Sequence, residues 1–148
     1  MKSAKRILFA TDFSRASEKA FEQSVEIARE SGAELLIAHA YRPPSVAPTD
    51  AYLNAAMYEE LDTQLRDAAS QQLERLVRTA RARGVTSHAL LLVGAPEDAI
   101  AEAAKEKGAE LIVMGTHGRT GPARFFLGSV ASRVTSTAPC PVLTVRAA

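Results

Sequence analysis

Five short apolar runs alternate with four stretches of helical period along this chain. The runs are Ile7 to Ala10, Glu34 to Ala40, Ser87 to Val93, Leu111 to Met114 and Val142 to Val145. Runs this short, bounded by turn residues, read as buried strands. Between them, helices are expected over residues 14–31, about 56–83, 96–107 and about 129–136. In the first helix Ala20, Phe21, Val25 and Ala28 form the apolar stripe. In the second, Leu61, Leu65, Ala68, Ala69, Leu76, Val77 and Ala80 mark the expected inner face. Gly32, Gly84 and Gly108 follow the expected helix ends, where a left-handed residue closes the last turn. Pro96 suits a first helical position, with Glu97 and Asp98 on the positive end of the helix dipole. Strands alternating with helices demand an α/β fold: an open parallel five-stranded sheet with helices on both faces. In such sheets a ligand sits beyond the carboxyl ends of the strands, where the winding reverses. Periodicity does not locate that point. If strands one and four are neighbours, Thr11-Asp12 and Met114-Gly115 face each other across one crevice.

The 148 residues favour one domain, 1–148. A net charge of +1 supplies no global basic field for nucleic acid or a membrane surface. No run approaches the roughly 18 apolar residues of a membrane span, and the first apolar stretch is too short for a signal-peptide core. Cys140 is the one cysteine, so no intrachain disulfide can form; between Pro139 and Pro141 it reads as a small packed side chain. These features together read as a cytoplasmic protein. Pro43, Pro44 and Pro48 forbid a regular helix over residues 42–54, which read as an excursion from the pattern.

After the fourth strand the chain enters a glycine-rich loop, Gly115-x2-Gly118-x9-Gly128-Ser129, which leads into the fourth helix. A strand, a glycine loop and a helix N-terminus can surround an anion with backbone N–H groups. His117, Arg119 and Arg124 lie within the loop and are candidate phosphate partners. For His117 an exposed loop side chain is the preferred reading, and Arg119 and Arg124 are equally compatible with solvated side chains. The loop is not a Walker motif, since no Gly-Lys-Ser/Thr occurs and the loop has no lysine. It is not the dinucleotide fingerprint either, because the first strand ends in Ala10-Thr11-Asp12-Phe13-Ser14. His39 reads as a structural histidine and His88 as solvent-facing; the three histidines lack zinc-like spacing. No metal ligands are assigned.

The loop with its flanks resembles the ATP-binding signature of the universal stress protein family. Lys5 to Ser14, Leu36 to Ala40, Gly94-Ala95-Pro96, Leu111 to Gly118 and Ser129 to Val145 resemble the family's successive pieces in order. About Tyr41 to Arg83 carries little of the likeness. The resemblance implies strand order 3-2-1-4-5, a Rossmann-like arrangement of the adenine nucleotide alpha hydrolase type. It also implies roles. Ala10, Thr11 and Asp12 would border the pocket, with Asp12 near adenine and ribose. The Ala40 backbone would contact adenine, and Met114 would line the base pocket. Gly115 and Gly118 would lie along sugar and phosphates. Gly128, Ser129 and Val130 would hold phosphates. The family often carries proline where this chain has Ala10, so the turn before Asp12 can differ. Asp12 and Ser129 are also readable as plain helix caps.

The resemblance implies a non-enzymatic regulatory or stress-response module that binds ATP, with or without Mg2+, and meets unidentified protein partners. A slow ATPase or another nucleotide-cleaving enzyme is the first alternative. It lacks support in the residues, since Asp12 is the one carboxylate argued near the site and no catalytic group is assigned. A partner-binding dimer with an empty pocket is the second. Val142 to Val145, apolar and at an expected sheet edge, predicts a homodimer, which the family commonly forms through this strand.

Overall fold

The computed structural model describes residues 5–45, 55–117 and 127–147. Residues 46–54 of the predicted 42–54 excursion, together with Gly118, Arg119 and Arg124 of the glycine loop, lie outside these residues.

The strands are β1 (Arg6–Ala10), β2 (Glu34–Tyr41), β3 (Ser87–Val93), β4 (Leu111–Gly115) and β5 (Val142–Val145). The helices are α1 (Glu18–Ser31), α2 (Ala55–Ala82), α3 (Pro96–Lys107) and α4 (Ser129–Thr137). All strand pairs are parallel, in order β3-β2-β1-β4-β5. The predicted α/β architecture and strand order are both observed.

Side chains alternate across each strand and feed two cores. Ile7, Phe9, Leu35, Ile37 and Val113 meet α1 and α2 on one face. Leu8, Ala10, Ala38, Ile112 and Met114 meet α3 and α4 on the other. Both faces are covered, which is why these strands read as continuous apolar runs rather than alternating ones.

Three helix ends follow the glycine reading. Gly32 and Gly108 adopt left-handed φ of 71° and 64° as caps of α1 and α3. Gly84, at φ 82°, follows α2. Pro96 opens α3 as expected.

Two expectations need correction. The first helix does not run unbroken from residue 14; a 3-10 turn, Arg15–Ser17, precedes α1. In α2 the inner face is carried by Ala69, Leu73, Val77 and Ala80. Leu61 and Leu65, predicted to face inward, are 42% and 40% exposed. Helical periodicity gives a stripe but not the point at which the helix leaves its support. Near its N-terminal half, α2 touches the sheet through Asp62, which accepts a 2.8 Å hydrogen bond from the Tyr41 hydroxyl and a 3.0 Å bond from Arg66.

Among the described residues no helix is long and apolar enough to cross a membrane.

Candidate functional site

The winding of the sheet reverses between β1 and β4. From β1 the chain passes through α1 to β2, and from β4 through α4 to β5, and these helices belong to opposite cores. β1 and β4 are hydrogen-bonded neighbours, with Ala10 opposite Met114. The chain segments that leave them, Thr11-Asp12 and Gly115 onward, therefore start side by side at the carboxyl edge of the sheet and lead to helices on opposite faces. The condition on strand adjacency is met, and this reversal point is where such sheets take a ligand.

The β1 side is a tightly bonded turn. The Thr11 N–H donates to the Ala38 carbonyl at 2.9 Å. The Thr11 hydroxyl accepts from the Phe13 N–H at 2.9 Å and meets the Ser17 hydroxyl at 2.9 Å. Asp12 Oδ1 accepts from the Ser14 N–H at 2.9 Å. Asp12 is thus an Asx-turn acceptor, which its short carboxylate suits. It is not the cap of α1, whose N-cap is Ser17. Ala10, in the position where the family often has proline, sits in the strand and is buried.

The β4 side is built on close backbone approach. A Cβ on Gly115 would lie 3.1 Å from the Ala16 carbonyl oxygen and 3.4 Å from that of His117. Glycine is favoured here by close contact rather than by φ. The Thr116 N–H donates to the Val145 carbonyl at 3.0 Å, and the Gly128 N–H donates to the Thr116 carbonyl at 2.7 Å. The Thr116 hydroxyl and His117 Nδ1 are 3.0 Å apart.

Gly128 is the N-cap of α4, in extended backbone, and has no side chain with which to cap the helix. Ser129 is the first helical residue, not the cap. The first helical bond runs from the Ser132 N–H to the Gly128 carbonyl at 2.9 Å. The N–H groups of Ser129, Val130 and Ala131 consequently have no partner within the helix, and they sit at the positive end of its dipole.

Ala10, Thr11, Asp12, Met114, Gly115, His117 and Gly128 all lie at the carboxyl ends of β1 and β4 or in the segments that leave them, with Ser129 and Val130 opening α4. Ala40 lies near the end of β2, next to β1. The side chains of Met114 and Ala10 belong to the second core. Sequence reasoning missed Ser14. Its Oγ and His117 Nε2 are buried and have no hydrogen-bond partner among the described residues. Ser14 stood in the quoted Thr11-Asp12-Phe13-Ser14 run, but nothing in its spacing marked the hydroxyl. His39, read as structural, does make a defined bond: its Nδ1 is 2.8 Å from the Thr11 carbonyl oxygen. His88 is exposed as expected and lies against Glu34 at 3.2 Å, at the far end of the sheet from the crevice. No group of three His, Cys, Asp or Glu side chains that could hold a metal occurs among the described residues.

Comparison with known proteins places this geometry. Residues 3–146 match the profile of the universal stress protein family. Universal stress protein MJ0531 of Methanocaldococcus jannaschii is 37% identical over 142 residues, which cover 96% of this chain and 82% of that protein. Three solved structures share the fold. Protein MJ0577 of the same organism superposes with a TM-score of 0.83 at 26% identity, covering 98% of this chain and 96% of the other. A universal stress protein in complex with cAMP superposes with a TM-score of 0.74 at 28% identity, covering 99% of each chain. The universal stress protein of Archaeoglobus fulgidus in complex with dAMP gives 0.65 at 26% identity, covering 95% and 97%. The chain belongs to the universal stress protein family.

Proposed function

We propose that this chain binds an adenine nucleotide, ATP foremost, at the crevice between β1 and β4, and that it works as a nucleotide-dependent regulatory module. One observation carries the reading. Two buried polar atoms, Ser14 Oγ in the segment after β1 and His117 Nε2 in the segment after β4, have no hydrogen-bond partner among the described residues. Buried polar groups are ordinarily satisfied, and an orphan calls for an absent partner. A ligand rich in oxygens supplies one. The uncapped α4 N-terminus adds N–H donors suited to phosphate. The similar proteins solved with cAMP and dAMP hold ligands that share an adenine and a phosphate.

In this reading Thr11, Asp12 and the Ala40 backbone face base and sugar, with Ala10 and Met114 as the floor. Gly115 and Gly118 allow close approach along sugar and phosphates. His117, Arg119, Gly128, Ser129 and Val130 take the phosphates. Mg2+, where present, arrives with the phosphates. Binding is favoured over turnover: Asp12, the carboxylate assigned to the site, is already an acceptor for the Ser14 N–H. Bound nucleotide then biases the crevice-facing surface that partners read.

The functional unit is a homodimer in this proposal. Among the described residues β5 is an edge strand paired to β4 alone, short and apolar, with Leu143 exposed. An unpaired edge is a template for a second strand. The remaining expectations, one domain over 1–148 and a cytoplasmic setting, belong to the same reading.

Mass spectrometry of small molecules released when the purified protein is denatured tests the ligand class. An adenine nucleotide in the released fraction is the expected result. Release of a different phosphorylated compound in stoichiometric amount would overturn it.

A further inference from the structure

Phe13 is the one non-glycine residue with positive φ among the described residues, at 63°. An aromatic residue in left-handed backbone is an outlier, because its Cβ crowds the neighbouring carbonyl. Such a conformation persists only where the surroundings over-determine it, and it concentrates at ligand clamps. The turn that contains Phe13 also contains Asp12, which the nucleotide proposal places at the site, and Ser14 with its orphaned hydroxyl.

Most of the bonds that hold this turn come from within it. The Phe13 N–H reaches the Thr11 hydroxyl, the Ser14 N–H reaches Asp12 Oδ1, and Ser17 bonds the Ser14 carbonyl through its N–H at 3.1 Å and its hydroxyl at 2.8 Å. Bonds of this kind travel with the turn and do not orient it relative to the sheet. His39 differs. It belongs to β2, and it grips the turn at two points. Its Nδ1 is 2.8 Å from the Thr11 carbonyl oxygen. A carbonyl can only accept, so Nδ1 carries the proton and the tautomer is set by this bond. The His39 ring also packs on the Phe13 ring, with centroids 4.3 Å apart and planes tilted by 34°. One grip is polar and acts on the residue before Asp12; the other is a ring contact and acts on the residue after it.

We propose that His39 is a positioning residue for the nucleotide site: it clamps Thr11 and Phe13 from the neighbouring strand and so fixes the direction in which Asp12 and Ser14 are presented. His39 is not itself assigned to ligand contact. Its effect on affinity follows from preorganisation. If loss of the clamp leaves the turn in its binding-competent form a tenth of the time, the apparent affinity falls about tenfold. The affinity arm of the test rests on the nucleotide proposal above; the exchange arm does not.

The full chain is tested without ligand by amide hydrogen exchange and with ATP by calorimetry. His39→Phe keeps a ring and removes the donor. His39→Asn keeps a donor close to Nδ1 and removes the ring, and serves as the milder variant if the first folds poorly. In His39→Phe the Phe13 and Ser14 amides are expected to exchange at least tenfold faster, with Leu8 and Ile112 unchanged. The ATP dissociation constant is expected to rise about tenfold. Adding Phe13→Gly, which adopts positive φ without strain, is expected to recover at least threefold of that loss. Unchanged exchange at Phe13 and Ser14, or acceleration shared equally by Leu8 and Ile112, overturns the clamp. So does an ATP affinity within twofold of wild type in a protein that binds ATP. If wild type binds no adenine nucleotide, the nucleotide reading fails, and the exchange data alone decide whether His39 holds the turn.

Discussion

The Gly128 N–H donates to the Thr116 carbonyl at 2.7 Å, tying the start of α4 to the segment that leaves β4. This bond ties the helix N-terminus to the carboxyl end of β4, and Gly128 as N-cap offers no side chain to cap it. Asp at an N-cap satisfies free N–H groups and favours the dipole, improving on glycine by a few tenths of a kcal/mol. Gly128 has φ −62°, open to any residue. Gly128→Asp is therefore expected to raise the stability of the ligand-free protein slightly while removing ATP binding, because the carboxylate occupies the donors and repels phosphate. Denaturant melts and calorimetry check the two opposite signs.

Gly115 leaves little room for a side chain. A Cβ there meets the Ala16 carbonyl oxygen at 3.1 Å, and backbone cannot swing aside as a flexible side chain does. Gly115→Ala is expected to cost about 1–2 kcal/mol, within the range for overpacking. Urea unfolding measures this directly, and a neutral effect would mean that the 3-10 turn shifts freely.

The corrected face of α2 makes a contrast within one helix. Leu73 is 1% exposed and sits in the core on the α1 and α2 side. Leu73→Ala is expected to cost about 2–5 kcal/mol. Leu61→Ala and Leu65→Ala, on exposed positions, should each stay within about 1 kcal/mol. Chemical denaturation of the three variants distinguishes the observed face from the periodicity-based one.

Burial pushes the Cys140 thiol above its ordinary range. A raised thiol pKa leaves the neutral form dominant at neutral pH, and the thiolate is the nucleophile. Alkylation of the folded protein at pH 7–8 should be slower than that of an unfolded control. The sign for stability follows: folded and unfolded chains are both protonated at neutral pH, so nothing is lost there. Stability should fall only as pH rises past the ordinary thiol pKa, where the unfolded chain ionises first.

The alternation of runs such as Ile7 to Ala10 and Leu111 to Met114 made the sheet legible, because strands buried on both faces are apolar throughout. Their order was not legible from periodicity, which carries no information on which strands pair; it came from the family resemblance. The helix stops at Gly32 and Gly108 were readable because left-handed caps favour glycine. Leu61 and Leu65 were misread because an amphipathic stripe continues past the point where the sheet ends beneath it. At the site, Gly115 was visible as a glycine, but its reason, contact with the Ala16 carbonyl, is tertiary. Ser14, Phe13 and His39 were hidden for the same cause: the orphaned hydroxyl, the positive φ and the clamp exist only once β1 and β2 lie side by side.

Thermal unfolding of the purified protein with and without ATP, in the presence and absence of Mg2+, tests the central claim most directly. Ligand at 100 times its dissociation constant stabilises by about 2.7 kcal/mol. For a domain near this size each kcal/mol moves Tm by roughly 2–4 °C. A concentration-dependent rise in Tm of several degrees is the predicted result. No shift with ATP, ADP or AMP, with or without Mg2+, in protein shown to be free of bound nucleotide, would contradict it.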